Sequence, residues 1–205
     1  MTAAPALLVA AFVKPYVETH AVRRLVLVVV VVTAAIELVG VFRQRAEASN
    51  RDRGSRIVLR LAAAPGVVLL ALSPRIAPAA AIHPPLGSVV VGIVLVVAGE
   101  AMRVWSKVTL GRYFTYTVMT SADQPVITSG PYRYLRHPSY TGIMLFALGA
   151  GFVWGNWLGL AAVTVFVFLG VRYRIHVEER ALLEELGDRY RTYAELHKRL
   201  IPFVW

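Results

Sequence analysis

The chain has 205 residues, of which 57% are hydrophobic and only 17% are charged, and its mean hydropathy is +0.60. Soluble domains carry about 25% charged residues, and the apolar residues here come in long blocks, so the composition excludes a soluble domain and predicts an integral membrane protein. The absence of cysteine excludes disulfides and thiolate chemistry. The net charge of +10 comes from basic residues that flank apolar segments, which is expected of residues that set membrane topology rather than of a nucleic-acid-binding surface.

Apolar segments predict an all-α fold, an integral membrane bundle of about five transmembrane helices with a cytoplasmic C-terminal helix. Met1–Val13 is apolar but has no basic stretch before it, so we expect no cleaved signal peptide. Prolines in the second segment predict a kinked helix that ends near Leu72. In chain order the segments are Leu25–Phe42, Ile57–Ala81, Leu86–Val104, Tyr140–Trp154 and Trp157–Val171.

The last two segments are separated only by Gly155 and Asn156, which predict a tight turn and hence a helical hairpin. Each arm has about 15 strongly apolar residues, fewer than the roughly 20 that a straight span needs. Beyond the hairpin, leucines and tyrosines at helical spacing predict a helical tail from His176 to Lys198, which Gly187 can interrupt.

Basic residues set the predicted orientation. Arginines and lysines concentrate in the 43–56 loop, in the 103–136 stretch and after residue 171, and these three regions lie on the same side of the predicted bundle. We therefore expect the N-terminus outside, and the C-terminus and the polar clusters described next on the cytoplasmic side.

Two polar clusters bracket the hairpin. The first, Arg136-His137-Pro138-Ser139-Tyr140, places a histidine before the proline that opens a helix, where anionic groups bind favourably. The second runs from Arg172 to Glu179, with Arg174 and Glu178 four residues apart on one helix face. Taken alone, the first cluster is equally compatible with an interfacial aromatic and basic belt, and the second with an ordinary surface ion pair. Glu100 and Arg103 are a further candidate pair, and for Glu100 a structural pair or a role in the site wall is favoured.

Taken in order, the motifs resemble the isoprenylcysteine carboxyl methyltransferase family. The resemblance covers about Gly99 to Phe203 and implies an S-adenosylmethionine-dependent enzyme in the bilayer, without a soluble Rossmann domain. It divides a single membrane domain, 1–205, into N-terminal transmembrane helices, 1–98, and a catalytic methyltransferase-like core, 99–205. The matching residues are Val126 to Tyr132, Arg136 to Tyr140, Arg174, Glu178-Glu179, Tyr190, Tyr193 and Ile201 to Phe203.

The resemblance also implies roles for individual residues. Arg174 would hold the carboxylate of the substrate, and Arg136 would support the catalytic site. One departure is the pair Val118-Met119, where eukaryotic members tend to have a glutamine. The cofactor pocket, for S-adenosylmethionine with S-adenosylhomocysteine as product, would use Gln124, Pro125, Val126, Ile127, Tyr132, His137, Pro138, Ser139, Tyr140 and Glu178.

The expected reaction is O-methylation of a lipidic carboxylate, such as a prenylcysteine or an analogue, with membrane lipids as partners and no metal. A carboxylate is ionised at neutral pH and needs no general base. The first alternative is a lipid amine N-methyltransferase, which would need a base such as Glu178 or His137. The remaining alternatives are an NADPH-dependent sterol-type reductase, for which the chain is short, and a non-enzymatic membrane protein.

Overall fold

The computed structural model describes residues 54–111 and 125–201, apart from the side chain at position 56. These residues form an all-α membrane bundle, as predicted. The predicted segment Leu25–Phe42 and the Val118-Met119 pair lie outside the described residues. The helices are α1 (Ser55–Ile76), α2 (Pro85–Leu110), α3 (Pro138–Trp154), α4 (Trp157–Leu186) and α5 (Asp188–Leu196), with short 3-10 turns at Pro78–Ala80 and Gly130–Arg133.

Three of these helices are long and apolar enough to cross a membrane: Ile57–Ile76 within α1, all of α2, and α4. α3 is a shorter apolar helix of 17 residues, which corresponds to about 25 Å. It is therefore shorter than a typical hydrocarbon core of about 30 Å, as the sequence predicts for this arm of the hairpin.

α1 continues to Ile76, four residues beyond the predicted end near Leu72. Pro74 has no N–H to donate to the carbonyl of Leu70, four residues earlier. The hydroxyl of Ser73 donates to that carbonyl instead, at 2.8 Å. The missing backbone bond is thus replaced by a side chain, and the helix runs through the proline.

The last predicted span runs without a break into the predicted tail helix as far as Leu186, and the predicted interruption at Gly187 is confirmed, with α5 following it. α4 has 30 residues, about 45 Å, and extends past a hydrocarbon core of about 30 Å. No proline or glycine interrupts the sequence between Val171 and Leu186. The helix ends at Gly187, whose φ of 54° is a conformation that glycine adopts readily. The second polar cluster therefore sits on a rigid continuation of a membrane helix.

Small residues bring α2 and α3 together as an antiparallel pair. A Cβ atom placed on Gly142 would lie 2.6 Å from the carbonyl oxygen of Gly99, and one on Gly149 would lie 2.6 Å from the carbonyl oxygen of Gly92. Both glycine pairs are seven residues apart on their helices, so they recur on one face. This contact lets the backbones approach closely, as glycines do between membrane helices.

The α3–α4 turn is tied to the end of α1. The Asn156 side chain accepts from the backbone N–H groups of Leu158 and Gly159, at 3.0 and 3.3 Å, and caps α4. Its amide nitrogen donates to the carbonyl of Ala77 at 2.8 Å. With the turn held at this end, the start of α3 and the polar part of α4 lie together at the other end of the hairpin.

Candidate active site

The first polar cluster lies at the start of α3. His137 is the N-cap residue and Pro138 is the first residue of the helix, as predicted. Both are buried, whereas Ser139 and Tyr140 are half-buried. The hairpin places this turn beside Arg174, Glu178 and Glu179 on α4, so the structure brings the two predicted clusters together.

One chain of hydrogen bonds crosses from α1 to α4 and α3. Arg174 is only 5% exposed. Its Nη1 donates to the Ser55 hydroxyl at 2.8 Å, and its Nε donates to the Tyr140 hydroxyl at 2.7 Å. That hydroxyl in turn donates to Glu178 Oε2 at 2.6 Å. The Tyr140 hydroxyl therefore joins the cation predicted to hold the substrate to the carboxylate predicted to hold the cofactor.

A second cluster is centred on the Glu179 carboxylate. Its Oε1 accepts from Arg136 Nη1 at 2.8 Å and lies 3.2 Å from His137 Nε2. Arg199 donates from Nε to Oε2 at 3.0 Å and from Nη2 to the same oxygen at 2.7 Å. These hydrogen bonds to Glu179 raise the pKa of the Arg199 guanidinium, which is charged at any ordinary pH.

The two neighbouring glutamates have different surroundings. The Glu179 side chain is 10% exposed and has two arginines and His137 as neighbours. The Glu178 side chain is 29% exposed, accepts from Tyr140, and has His137 Nδ1 4.0 Å from its Oε1. Since a carboxylate offers about four lone-pair sites, Glu178 retains acceptor capacity toward a ligand, whereas Glu179 is largely committed to its cations.

Tyr132 lies in the 3-10 turn before α3 and is buried, close to Ser106 of α2. Burial raises the pKa of the Tyr132 phenol well above its usual value, and the nearby Glu178 charge raises it further. The ring is therefore neutral and close to Glu178, in keeping with a place in one pocket wall.

The remaining predicted cofactor residues lie in the extended stretch before this turn. Pro125 is exposed, while Val126 and Ile127 are half-buried. Val126 packs against the cluster of Leu186, Tyr190 and Tyr193 at the α4–α5 junction. Gln124 lies outside the described residues.

Two buried polar atoms beside the site have no hydrogen-bond partner within residues 54–111 and 125–201. They are the Tyr190 hydroxyl on α5 and Nε of Arg136. Glu178, Glu179 and Arg136 all act electrostatically on the Tyr190 phenol, which places it near both carboxylates.

The predicted ion pair between Glu100 and Arg103 is confirmed, with 2.9 Å between Glu100 Oε1 and Arg103 Nη1. The Cγ of Arg103 would lie 2.5 Å from a Cβ atom placed on Gly142, so this pair supports the contact between α2 and α3.

Comparisons with known proteins agree with this arrangement. The model of the isoprenylcysteine carboxyl methyltransferase (ICMT) family matches residues 91–184. The predicted resemblance is confirmed over these residues. The solved structure of the eukaryotic intramembrane Ras methyltransferase ICMT, without a monobody, superimposes with a TM-score of 0.59 at 30% identity, covering 71% of this chain and 52% of that one.

Curated relatives carry the same name. The chain is 34% identical over 116 residues to a probable protein-S-isoprenylcysteine O-methyltransferase of Oryza sativa subsp. indica, covering 56% of this chain and 61% of the relative. It is 32% identical over 115 residues to protein-S-isoprenylcysteine O-methyltransferase A of Arabidopsis thaliana, covering 55% and 58%. The chain thus spans about three fifths of the length of these curated relatives.

Residues 91–184, which the family model matches, contain His137, Tyr140, Arg174 and both glutamates, but neither Ser55 nor Arg199. The sequence patterns predict neither of these contacts, and they indicate no role for Glu179. Ser55 is 119 positions from Arg174 and carries no local signal. In the sequence, Arg199 is one of the basic residues after residue 171 that indicate topology. Its position just before the matching Ile201-Pro202-Phe203 stretch was the one available signal.

Proposed function

We propose that the protein is an S-adenosylmethionine-dependent methyltransferase that O-methylates the carboxylate of a lipidic substrate, such as a prenylcysteine or an analogue. The observation that carries this proposal is the Tyr140 hydroxyl, which bridges Arg174 and Glu178 at the polar end of a membrane hairpin. It joins a site for an anion to a site for a polar or cationic ligand. The names of the relatives support the reaction class.

The residues present fit the proposed cofactor. The partly exposed Glu178 carboxylate suits an ammonium or hydroxyl groups of a ligand. The rings of Tyr132 and Tyr140, both close to Glu178, suit a sulfonium through cation–π attraction. When bound, S-adenosylmethionine supplies an electrophilic methyl group.

The main role of the protein's own residues is to position the two reactants. Because the substrate carboxylate is already ionised, no proton has to be removed before transfer. Arg174 has its Nε and Nη1 held by two hydroxyls, so the plane of its guanidinium is set before substrate binds. A planar fork of this kind orients a carboxylate, and holding two reactants in line contributes several kcal/mol.

Labelled methyl transfer to a prenylcysteine analogue tests the function directly. The purified protein in detergent should transfer label from S-adenosylmethionine, and mild base should release that label, since an ester is base-labile. Arg174→Ala and Glu178→Ala should abolish most of the transfer. Their matched controls, Arg172→Ala and Glu184→Ala, change exposed residues of the same helix and should keep it.

The outcomes separate the alternatives. Label that resists base would indicate an amine product and would contradict the carboxyl reaction. Full activity in Arg174→Ala or Glu178→Ala would contradict the site. No transfer by a folded wild-type protein to any prenylated or free lipid carboxylate would reject the function as a whole.

We also propose that this site faces the cytoplasm, with the N-terminus outside. The positive-inside distribution of arginine and lysine supports this orientation. Because the chain has no cysteine, single-cysteine variants report accessibility without background. In intact cells, a membrane-impermeant maleimide should label His83→Cys, which is exposed at the end of the bundle opposite the site, but not Asp188→Cys, which is exposed beside it. The reverse pattern would invert the topology.

A further inference from the structure

The segment that follows α5 lies against the start of α3 and the turn before it. We call residues 198–201 the strap. Its backbone carbonyls at Lys198 and Arg199 accept from the N–H groups of Arg136 and His137, at 2.7 and 3.1 Å. The carbonyl of Leu200 accepts from the Thr141 hydroxyl at 2.7 Å. The strap therefore contacts the same turn that carries the first polar cluster.

The strap is anchored in the core as well as on the backbone. Leu200 is 3% exposed and packs in the cluster that includes Val171 and Ile175 of α4. The buried Leu200 side chain, two hydrogen bonds from Arg136 and His137 just before α3, and one from Thr141 within it fix the position of the strap. The neighbouring residue, Arg199, is thereby directed at Glu179.

Arg199 provides the hydrogen bonds to one oxygen of the Glu179 carboxylate. Within the described residues, Oε2 accepts only from Arg199, whereas Oε1 is shared by Arg136, His137 and Arg199 Nε. Without Arg199, Oε2 would have no donor among the described residues in this largely buried position, and Arg136 and His137 would hold the carboxylate by Oε1 alone. The carboxylate would then be less firmly fixed relative to His137 and Arg136.

We propose that Arg199 is a positioning residue for the cofactor-binding wall, acting through Glu179 on His137 while its own backbone carbonyl holds the same residue. The proposal rests on the proposed function, since the wall is assigned only there. Neither residue of the Arg199–Glu179 pair would touch the reacting atoms. A strap that served stability alone would affect unfolding but leave cofactor affinity unchanged in the folded protein.

Three variants separate these roles. Arg199→Ala removes the fork, Arg199→Lys restores a single charged donor, and Lys198→Ala changes an exposed neighbour whose contribution to the described contacts is its backbone carbonyl. In the full-length protein in detergent, calorimetry measures binding of S-adenosylhomocysteine. Hydrogen–deuterium exchange of peptides spanning 134–141 measures whether Arg136 and His137 stay held without any ligand.

Arg199→Ala should weaken S-adenosylhomocysteine binding about tenfold or more, because a hydrogen bond to a charged group is worth about 1.5–3 kcal/mol. The KM for S-adenosylmethionine should rise by a similar factor, with kcat changed less. Arg199→Lys should recover part of the affinity, since lysine cannot form the planar fork. Exchange at 134–141 should speed up in Arg199→Ala and stay at the wild-type rate in Lys198→Ala.

Affinity within twofold of wild type in folded Arg199→Ala would overturn the proposal, as would equal losses in Lys198→Ala. Failure of the proposed function looks different, because the wild-type protein itself would then bind no S-adenosylhomocysteine. In that case exchange still decides the positioning claim. Unchanged exchange at 134–141 in Arg199→Ala overturns it, and faster exchange supports it.

Discussion

Tyr140→Phe is the most informative single substitution, because it removes one oxygen and leaves the ring in place. The ring packs beside the hydrophobic core, and its centroid lies 5.7 Å from that of His137. The lost hydroxyl is the one that donates to Glu178 at 2.6 Å and accepts from Arg174 at 2.7 Å. The variant therefore uncouples the two halves of the proposed site with little change in shape.

The expected loss of activity depends on whether Glu178 and Arg174 can replace the hydrogen bond that each of them loses. Each hydrogen bond to a charged group contributes about 1.5–3 kcal/mol. Glu178 is 29% exposed and can regain water, so its share of the loss is small. Arg174 is 5% exposed and keeps its bond to Ser55, but its Nε loses the Tyr140 acceptor in a buried setting. We expect a loss of about 2–3 kcal/mol in transition-state stabilisation, which is roughly a 30- to 140-fold lower kcat/KM.

The assay is base-labile methyl transfer to the prenylcysteine analogue, with initial rates measured over a range of both substrates. Tyr134→Phe is the matched control, because Tyr134 belongs to the same stretch but is 54% exposed. It should stay within twofold of wild type. If Tyr140→Phe retains more than a third of the wild-type kcat/KM, the Tyr140 bridge does not organise the site and the reasoning is refuted.

Three further predictions concern the fold that holds the site. Gly142→Ala would place a Cβ 2.5 Å from Arg103 Cγ, so it should lower the free energy of unfolding by about 1–3 kcal/mol, measured by chemical denaturation. The control is Gly87→Ala, whose Cβ would have its nearest neighbour 3.3 Å away on a proline side chain, and it should lower the free energy of unfolding much less. Asn156→Ala removes a helix cap and a buried donor, so it should lower the free energy of unfolding by about 2–4 kcal/mol. A melting temperature within about 1 °C of the wild-type value would contradict the role of Asn156 as a cap. Burial raises the pKa of the Tyr193 phenol, so its contribution to stability is complete below the unfolded value of about 10 and is lost as pH rises above it. Melting temperatures should fall above about pH 10, and less steeply in Tyr193→Phe; identical slopes would show that this phenol is not responsible.

Helix ends show how far local patterns predict this fold. The apolar blocks and the Gly155-Asn156 turn predict the membrane helices and the hairpin, because hydrophobic length and turn chemistry are local properties. The end of α1 differs from the prediction, because the Ser73 hydroxyl replaces the bond that Pro74 cannot make. The start of the tail differs as well, because the change from apolar to polar residues after Val171 does not break the helix, whereas the interruption predicted at Gly187 is confirmed.

In the site, too, some features follow from local sequence and others only from tertiary packing. The sequence alone placed Arg136 to Tyr140 at the start of a helix and put Arg174 and Glu178 on one helix face, since helical spacing determines which neighbours share a face. Which partner each side chain meets depended on tertiary packing. Ser55 comes from 119 residues away in sequence, and the strap carries Arg199 to Glu179. Adjacent residues on a helix point about 100° apart, so packing against different elements gave Glu178 an open edge and Glu179 a set of cations.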